Sequence, residues 1–374
     1  MAKIIIDNLI FHWQRSGGIS VVWNELIKRI FPKYNNIEHT IQNNVDDNNV
    51  DWGFIEYENS CNNLLRQNLN IPEDKIERII PAKNMLFKRY LPIYIKHSTP
   101  FIFHSTYYRT CNNSKAINVI TVHDFTYEYY NHGLKRLIHC LTKHRAIKKS
   151  DYVVCISDNT KRDIIRFVKG IDENKLHVIY NGCGNAFHIL PDEERYHAGD
   201  KPFLVFVGGR DGYKNFKCAV DVAQISDMYL VIVGKKLSSN ELIFVKEKLG
   251  DKFADMGFVS DKQLNAIYNK AFALLYPSAY EGFGLPVIEA QKAGCPVLAV
   301  NKSSIPEIIG NKSTLVEEAN SELFNKKINT LKDTEYRERI VKDGLINSEK
   351  FSWDNTFREY MDLYKHIIKE KSLS

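Results

Sequence analysis

The sequence lacks the features that mark several common protein classes. Its seven cysteines are an odd number without paired spacing, which fits reduced thiols better than a disulfide framework. No apolar run approaches the length that spans a bilayer, and no Cys/His spacing indicates a zinc site. No signal-peptide pattern precedes the first apolar stretch, residues 3–6. We therefore expect a soluble, cytoplasmic protein.

Several ligand-binding motifs are absent as well. There is no Walker A lysine, no Gly-x-Gly-x-x-Gly after a strand and no nucleophile elbow. There is no Asp-x-Asp, the usual carboxylate clamp for a metal bound to a nucleotide diphosphate, so we expect no metal and no cofactor. The net charge of +6 is compatible with phosphorylated substrates. The sequence contains no zinc-finger, RRM or KH signature, so we expect no nucleic-acid partner.

Short apolar segments alternate with helical patterns along the 374 residues, which predicts an α/β fold with parallel sheets. The predicted strands are 3–6, 101–104, 118–122, 152–156, 177–179, 203–207, 229–233, 258–259, 272–276, 297–300 and 314–316. A polar stretch within 181–202 predicts a linker between two doubly wound domains, and the polar run 43–49 suggests local disorder. Ligands of such domains bind beyond the carboxyl ends of the strands.

The most informative segment is 276–297, in which Glu281-Gly-Phe-Gly-Leu-Pro and then Glu289 follow an apolar strand. The glycines allow a close backbone approach, and Pro286 suits a helix start, whose free amides attract phosphate. Because carboxylates repel phosphate, we expect the two glutamates to accept hydrogen bonds from hydroxyls next to the phosphate. A phosphate beside hydroxyls describes a nucleotide sugar. The alternative is a surface helix with acidic residues at its positive end.

Two glutamates with seven residues between them, around Gly-Phe-Gly-Leu-Pro, resemble the signature of the family 4 retaining glycosyltransferases. The segment 207–216, Val-Gly-Gly-Arg-Asp-Gly-Tyr-Lys-Asn-Phe, resembles bacterial polysaccharide enzymes of this family, of the mannosyltransferase-like group. The resemblance implies that Glu281 meets the donor sugar and Glu289 the nucleotide ribose, with Gly282, Phe283, Gly284 and Leu285 lining the donor. It also implies the GT-B fold, two Rossmann-like domains facing a central cleft. We expect an acceptor domain at 1–190, a nucleotide-sugar domain at 200–350, and a helix at 351–374 returning to the first domain.

Two glycine loops extend this interpretation. In Gly208-Gly-Arg-Asp-Gly-Tyr-Lys214, a cation pair follows a predicted strand, and Arg210 and Lys214 are suited to neutralise a diphosphate. The family places the same two residue types there. Near the amino terminus, Gly17 and Gly18 allow a tight turn whose amides can point at phosphate, and the resemblance implies that this loop approaches the donor. Exposed cations on an ordinary glycine turn are the alternative.

His123 ends the predicted strand 118–122, where a histidine is in general more often structural than catalytic. The Val-His-Asp context resembles the family histidine that contacts the donor sugar near the reacting carbon, so we predict a catalytic role, together with Arg210, Lys214 and Glu281. The stretch Ser303-Ser-Ile-Pro-Glu307 also resembles the family, and we expect Glu307 to be architectural.

The resemblance implies metal-independent transfer of a sugar from a nucleotide diphosphate, with retained configuration, to a saccharide or lipid-linked saccharide in O-antigen or capsule synthesis. Similarity to mannosyltransferases favours a GDP-linked sugar such as GDP-mannose. The acceptor is expected near Gly17 and the aromatic residues Tyr107, Tyr108, Phe125 and Tyr127. The alternatives are a GT-B nucleotide-sugar 2-epimerase and a non-catalytic glycosyltransferase-like subunit.

Two segments, 83–97 and 132–149, mix basic residues with aliphatic and aromatic ones. In the second, leucines and isoleucine recur at helical spacing among lysines and arginines. A helix with a solvated polar face and peripheral contact with anionic lipid are both compatible with this pattern.

Overall fold

The computed structural model describes residues 1–15, 17–35, 50–81, 83, 85–196 and 202–373. The polar run 43–49 and residues 197–201 of the predicted linker lie outside the described residues. The chain forms two compact units. Unit 1 comprises Met1–Asn181 and Trp353–Ser374, and unit 2 comprises Gly182–Ser352.

Unit 1 is built on a seven-stranded, fully parallel sheet. Its strands are β1 (Ala2–Asp7), β2 (Val50–Tyr57), β3 (Ile76–Ile80), β4 (Phe101–Ser105), β5 (Ala116–Val122), β6 (Tyr152–Cys155) and β7 (Leu176–Val178). Its helices are α1 (Leu9–Trp13), α2 (Gly18–Ile30), α3 (Met85–Lys88), α4 (Thr126–Tyr130), α5 (Gly133–Lys149) and α6 (Asp158–Phe167). The strand order is β3-β2-β1-β4-β5-β6-β7. The order reverses between β1 and β4, which marks the ligand-binding crevice of a doubly wound sheet.

The sequence-based strand prediction missed β2 and β3. Charged residues interrupt the apolar pattern of β2, and their partners are distant in sequence. Asp51 pairs with Lys3 at 2.8 Å, while the buried Glu56 accepts a hydrogen bond from Asn8 at 2.6 Å and pairs with Arg66 at 3.3 Å. Because these contacts form only in the folded chain, local pattern does not reveal them.

The last helix of the chain belongs to unit 1. This helix spans Trp353–Glu370, and its Tyr364 hydroxyl lies 2.7 Å from Nδ1 of His104 on β4. Nε2 of the same imidazole lies 3.0 Å from the Thr121 hydroxyl, which in turn lies 3.0 Å from the Tyr360 hydroxyl. This buried polar chain fixes the helix against the sheet, since each buried group would be costly to leave unpaired.

Unit 2 contains a six-stranded parallel sheet. Its strands are β8 (Phe203–Val207), β9 (Tyr229–Val233), β10 (Phe253–Gly257), β11 (Ala273–Tyr276), β12 (Val297–Val300) and β13 (Leu315–Val316). Its helices are α7 (Phe216–Ser226), α8 (Ser239–Leu249), α9 (Asp261–Lys270), α10 (Leu285–Lys292), α11 (Ile305–Ile308), α12 (Ser321–Thr330) and α13 (Thr334–Ser348); the carboxyl-terminal helix is α14. The order β10-β9-β8-β11-β12-β13 is that of a Rossmann fold, with its switch point between β8 and β11.

The prediction for β10 was wrong, because it placed the strand at residues 258–259. The observed strand contains Asp255 and ends at Gly257, and both residue types are rare in strands. The Asp255 carboxylate is satisfied by accepting the backbone N–H of Leu237 at 2.9 Å. Across the described residues, no helix has the length and apolarity needed to cross a membrane.

Candidate active site

The principal candidate site lies at the switch point of unit 2, where the loops after β8 and β11 meet. Backbone carbonyls of both loops accept hydrogen bonds from the other loop. The backbone N–H of Ala279 donates to the carbonyl of Tyr213 at 2.8 Å, and the Asn215 amide donates to the carbonyl of Pro277 at 2.9 Å. Asn215 has a φ of 51°, a conformation that asparagine tolerates better than most residues. The loops therefore form one bonded edge of the sheet.

Lys214 and Glu281 form an ion pair at this edge. The Lys214 Nζ lies 2.6 Å and 2.8 Å from the two carboxylate oxygens of Glu281. The side chains retain 17% and 11% exposure, so the pair is shielded but reachable. An ammonium group has three N–H donors, and Glu281 occupies two of them. Among the described residues the Lys214 ammonium group has no further hydrogen-bond partner, so its third N–H can meet an anionic ligand.

Two serines hold the backbone of Glu281. The Ser303 hydroxyl accepts the N–H of Glu281 at 2.8 Å, and the buried Ser304 hydroxyl donates to the carbonyls of Glu281 at 3.0 Å and Phe283 at 2.7 Å. Ser303 has a φ of 52°, a conformation that costs a non-glycine residue about 1 kcal/mol. The serine pair is thus a positioning device for the loop after β11.

Helix α10 begins directly after this loop. Gly284 precedes it with a φ of 114°, and a Cβ at this position would lie 2.9 Å from Ile305 Cδ1, so glycine is required. Phe283 is buried and its ring packs edge-on against Phe351 at 5.9 Å. Of the predicted donor-binding residues, Gly282, Phe283, Gly284 and Leu285 therefore present chiefly backbone and the helix start.

Glu289 lies in the second turn of α10 and is half-buried. Burial raises the pKa of its carboxyl to about 8, and the negative charge of Asp261 adds to the rise, while the nearby Tyr268 hydroxyl opposes it. That hydroxyl is buried and has no partner of normal hydrogen-bond geometry among the described residues. Glu289 and Tyr268 thus form a partly unsatisfied polar site, suited to hydroxyl groups of a ligand.

Among the described residues, Arg210 forms its hydrogen bonds with partners other than Lys214 and Glu281. The Arg210 Nε donates to Glu241 Oε1 at 2.7 Å, and its two Nη groups donate to the carbonyls of Lys235 at 2.5 Å and Lys236 at 2.8 Å. The side chain is only 6% exposed. Arg210 therefore ties the loop after β8 to the loop after β9 and to the amino-terminal turn of α8.

Glu241 and Phe258 were not identified from the sequence as residues of this edge. Glu241 closes a capping box with Ser238, a signal that marks the helix start but not the bond to Arg210. Phe258 follows β10 and is 84% exposed, beside Lys236, whose side chain covers Gly257. An exposed aromatic ring at the carboxyl end of a parallel strand is available for stacking.

In unit 1, His123 lies just beyond β5 and is almost fully buried. Burial lowers the pKa of its imidazole to about 4, with the Asp124 carboxylate opposing the shift. The ring is therefore neutral at neutral pH. Its Nε2 has no hydrogen-bond partner among the described residues, which is costly unless a ligand or water satisfies it. Asp124 accepts the backbone N–H of Thr126 at 2.9 Å, at the start of α4.

Gly17 and Gly18 lie at the start of α2, where Gly17 is the residue before the helix and no side chain caps it. A Cβ on Gly17 would lie 2.7 Å from the flexible Gln14 side-chain oxygen, whereas a Cβ on Gly18 would have no described atom within 4 Å. The space beside Gly18 is therefore open among the described residues, and the start of a helix is where backbone amides can bind an anion.

The aromatic residues expected near the acceptor differ in accessibility. Tyr108 and Phe125 are buried, while Tyr107 and Tyr127 are half-exposed. The Tyr127 ring stacks on His139 at 3.9 Å and 28°. Tyr107 and Tyr127 are therefore the members of this set that can meet a saccharide.

Both units of the chain match known glycosyltransferase families. Residues 192–345 match the family described as "Glycosyl transferases group 1", and residues 76–183 match "Glycosyltransferase Family 4". The two matches together span well over half of the chain and include strands of both sheets. The chain is a glycosyltransferase.

Curated relatives of this glycosyltransferase include the Escherichia coli O-antigen chain mannosyltransferase B, 23% identical over 77% of this chain and 80% of the relative. The O-antigen chain mannosyltransferase RfbU of Salmonella typhimurium is 30% identical over 46% of this chain and 48% of the relative. Two solved structures show the GT-B fold. Anabaena HepE in complex with UDP and glucose has a TM-score of 0.69 at 14% identity over 98% of this chain and all of its own. Sucrose-phosphate synthase from Thermosynechococcus elongatus has a TM-score of 0.71 at 16% identity over 99% of this chain and all of its own.

Proposed function

We propose that this glycosyltransferase moves a mannosyl or closely related residue from a nucleotide diphosphate to a hydroxyl of a saccharide or lipid-linked saccharide, with retained configuration and without a metal ion. The observation that carries the proposal is the Lys214–Glu281 pair at the switch point of unit 2. The pair places one cation and one hydroxyl acceptor at the edge where such sheets bind ligands. The cytoplasm is the proposed location.

In the proposed reaction, the bond between the anomeric carbon and the diphosphate oxygen breaks as the acceptor oxygen bonds to the same face of that carbon. The acceptor proton passes to the departing phosphate oxygen, which leaves as the nucleoside diphosphate. No glycosidase-type general acid is needed, because a diphosphate is a good leaving group. The protein's contribution is to stabilise the negative charge that develops on the diphosphate.

Three groups are assigned to that charge. The third N–H of Lys214 is one, and the backbone amides at the start of α10 are the second. Arg210 is the third. Its guanidinium can reach the diphosphate only after it breaks the hydrogen bond to the carbonyl of Lys235 or Lys236. Glu281 and Glu289 then accept hydrogen bonds from the sugar and ribose hydroxyls. The neutral imidazole of His123 is assigned to the donor sugar.

The mannosyl donor is supported by the two O-antigen mannosyltransferase relatives, and GDP is the proposed nucleotide. The decisive experiment is a thermal-shift and activity panel with GDP-mannose, UDP-glucose and dTDP sugars, run with and without EDTA. Binding stabilises the folded chain by mass action. We expect the largest shift and EDTA-insensitive turnover with GDP-mannose. Stabilisation by a UDP sugar and not by GDP-mannose would contradict the proposed GDP-linked donor. Turnover that is lost in EDTA would contradict the proposed metal-independent reaction.

Product stereochemistry tests the remaining claim. The anomeric configuration of the new linkage, read by NMR from a reaction with a saccharide acceptor, should match that of the donor. Incubation without acceptor distinguishes an epimerase, because an epimerase converts the donor into a different sugar nucleotide, whereas a transferase yields at most slow hydrolysis.

A further inference from the structure

Helix α5 buries a lysine against unit 1 and exposes aliphatic side chains on its opposite face. Its inward face buries His139, Lys143, Ala146 and Ile147. Its outward face exposes four large aliphatic side chains, namely Leu134 at 70%, Leu137 at 55%, Ile138 at 41% and Leu141 at 60%. Burial of aliphatic side chains is the main favourable term in folding. A helix that buries a lysine and exposes this cluster is therefore oriented by something other than its apolar residues.

The orientation is fixed by the buried lysine. Lys143 Nζ lies 2.6 Å from Glu128 Oε2 and donates to the carbonyl of Asp124 at 3.0 Å, and it lies 3.9 Å from the Phe125 ring centroid. His144 lies 3.0 Å from the other Glu128 oxygen. Rotation of α5 to hide its leucines would leave a buried ion pair broken, which is strongly unfavourable. The aliphatic cluster is thus held outward.

Basic residues continue the same exposed face. The helix contains no Asp or Glu, and its exposed cations are Lys135, Arg136, Arg145, Lys148 and Lys149. Leu134, Leu137, Leu141, Arg145 and Lys148 recur at intervals of three and four residues, which places them along one side of the helix. The face is aliphatic over its first two turns and cationic over its last two.

The exposed side of α5, with its aliphatic residues Leu134, Leu137, Ile138 and Leu141 and its exposed cations, is called the basic–aliphatic face of unit 1.

We propose that the basic–aliphatic face docks on an anionic lipid bilayer surface. Aliphatic side chains enter the headgroup boundary while lysines and arginines meet lipid phosphates, which is the chemistry of interfacial amphipathic helices. A second copy of the chain is a poorer occupant. A two-fold interface would bring together two cation-rich helices, and α5 has no acidic residue that could pair with the cations of the other copy.

The test is cosedimentation of the purified full-length chain with vesicles of phosphatidylcholine alone or containing phosphatidylglycerol. We expect binding to the anionic vesicles that weakens as salt rises, because surface charges are screened. Leu137→Ser with Leu141→Ser, and separately Lys148→Gln with Lys149→Gln, should each lower binding about tenfold or more. These residues are exposed, so the variants should fold; an unchanged thermal midpoint verifies this.

Matched controls are available on unit 2. Ile346→Ser, at a residue that is 53% exposed, controls for loss of an aliphatic side chain, and Lys326→Gln with Lys342→Gln controls for loss of charge. Both should bind as wild type. The proposal is overturned if wild type ignores anionic vesicles, if the controls lose binding equally, or if ultracentrifugation shows a dimer that the leucine variants dissociate. Vesicle binding is measured without donor or acceptor, so the result stands apart from the proposed transfer reaction.

Discussion

The ammonium nitrogen of Lys214 sits within 2.8 Å of both carboxylate oxygens of Glu281, although 67 residues separate them. The pair joins the two loops at the switch point, and it leaves one ammonium hydrogen for a ligand. Each partner keeps the other in place while remaining partly exposed. Loss of the lysine should therefore remove a cation from the ligand and also release Glu281.

We expect Lys214→Met to lower kcat about 100-fold, comparable to loss of an oxyanion donor, because the proposed role of Lys214 is to stabilise the charge on the departing diphosphate. Steady-state kinetics with donor and saccharide acceptor provides the measurement. Lys246→Met, at an exposed lysine on α8, is the matched control and should be unaffected. Wild-type turnover in Lys214→Met would remove this residue from the mechanism.

Arg210 poses a different question, because the structure shows it bonded within unit 2. If its guanidinium must leave the Lys235 and Lys236 carbonyls to reach the diphosphate, Glu241 competes with the donor for it. We expect Glu241→Gln to tighten donor binding severalfold by weakening that competing charged hydrogen bond, and Arg210→Ala to lower kcat about 100-fold. Isothermal titration with the donor measures the first effect. Unchanged or weaker donor binding by Glu241→Gln would assign Arg210 a purely structural role.

Glu289 should couple stability to pH. Its pKa is raised from 4.5 to about 8 in the folded chain, so the unfolded chain releases this proton first. Between pH 4.5 and about pH 8 the unfolded state binds fewer protons at Glu289 than the folded state. The free energy of unfolding therefore falls as pH rises through this range. We expect Glu289→Gln to exceed wild type in thermal midpoint at pH 8 and to approach it at pH 5.

The same residue should matter for the donor. We expect Glu289→Ala to weaken donor binding about tenfold, the effect of one lost hydrogen bond to its carboxyl group, with a smaller effect on kcat. The donor dissociation constant and the pH dependence of the thermal midpoint can be measured on the same protein. Unchanged donor affinity would contradict the ribose assignment, and a midpoint difference independent of pH would contradict the raised pKa.

Three buried histidines of unit 1 predict acid sensitivity. Burial lowers the pKa of His104 to about 3, and that of His123 and His139 to about 4, from an ordinary 6.5. Below pH 6.5 the unfolded chain takes up protons that the folded chain refuses, so stability falls as pH falls. The loss is on the order of 2 kcal/mol for each histidine at pH 5. Thermal midpoints from pH 7 to 5 should drop, and His139→Gln should reduce the slope; a flat profile would contradict this account.

The sequence was sufficient where a local pattern determines the structure. Strands β8, β9 and β12 lie where predicted, because each is an apolar run bounded by turn residues. It was insufficient for β2 and β10, where an acidic residue sits inside a strand and is satisfied by a partner far along the chain. Such partners are set by topology, which local pattern does not contain.

The candidate site shows the same division. Glycine and proline positions around α10 follow from backbone conformation, and the sequence located them: Gly284 and Gly294 both have positive φ. The engagement of Arg210 with Glu241 could not be read from sequence, because the two residues are 31 positions apart and their contact depends on the order of β8 and β9. The roles predicted for Glu281, Glu289, Gly17 and His123 in donor binding and catalysis remain predictions.

Gly18 offers the cleanest test of the site in unit 1. A methyl group at this position meets no described atom within 4 Å, so Gly18→Ala should fold normally, and alanine should not weaken α2. If a ligand phosphate approaches the first amides of α2, the methyl group displaces it, and kcat/KM should fall about tenfold or more, since small misplacements are costly. Gly184→Ala, whose methyl group has its nearest neighbour at 4.0 Å, is the control. An unaltered kcat/KM in Gly18→Ala, with an unaltered thermal midpoint, would show that no reacting group comes close to this helix start.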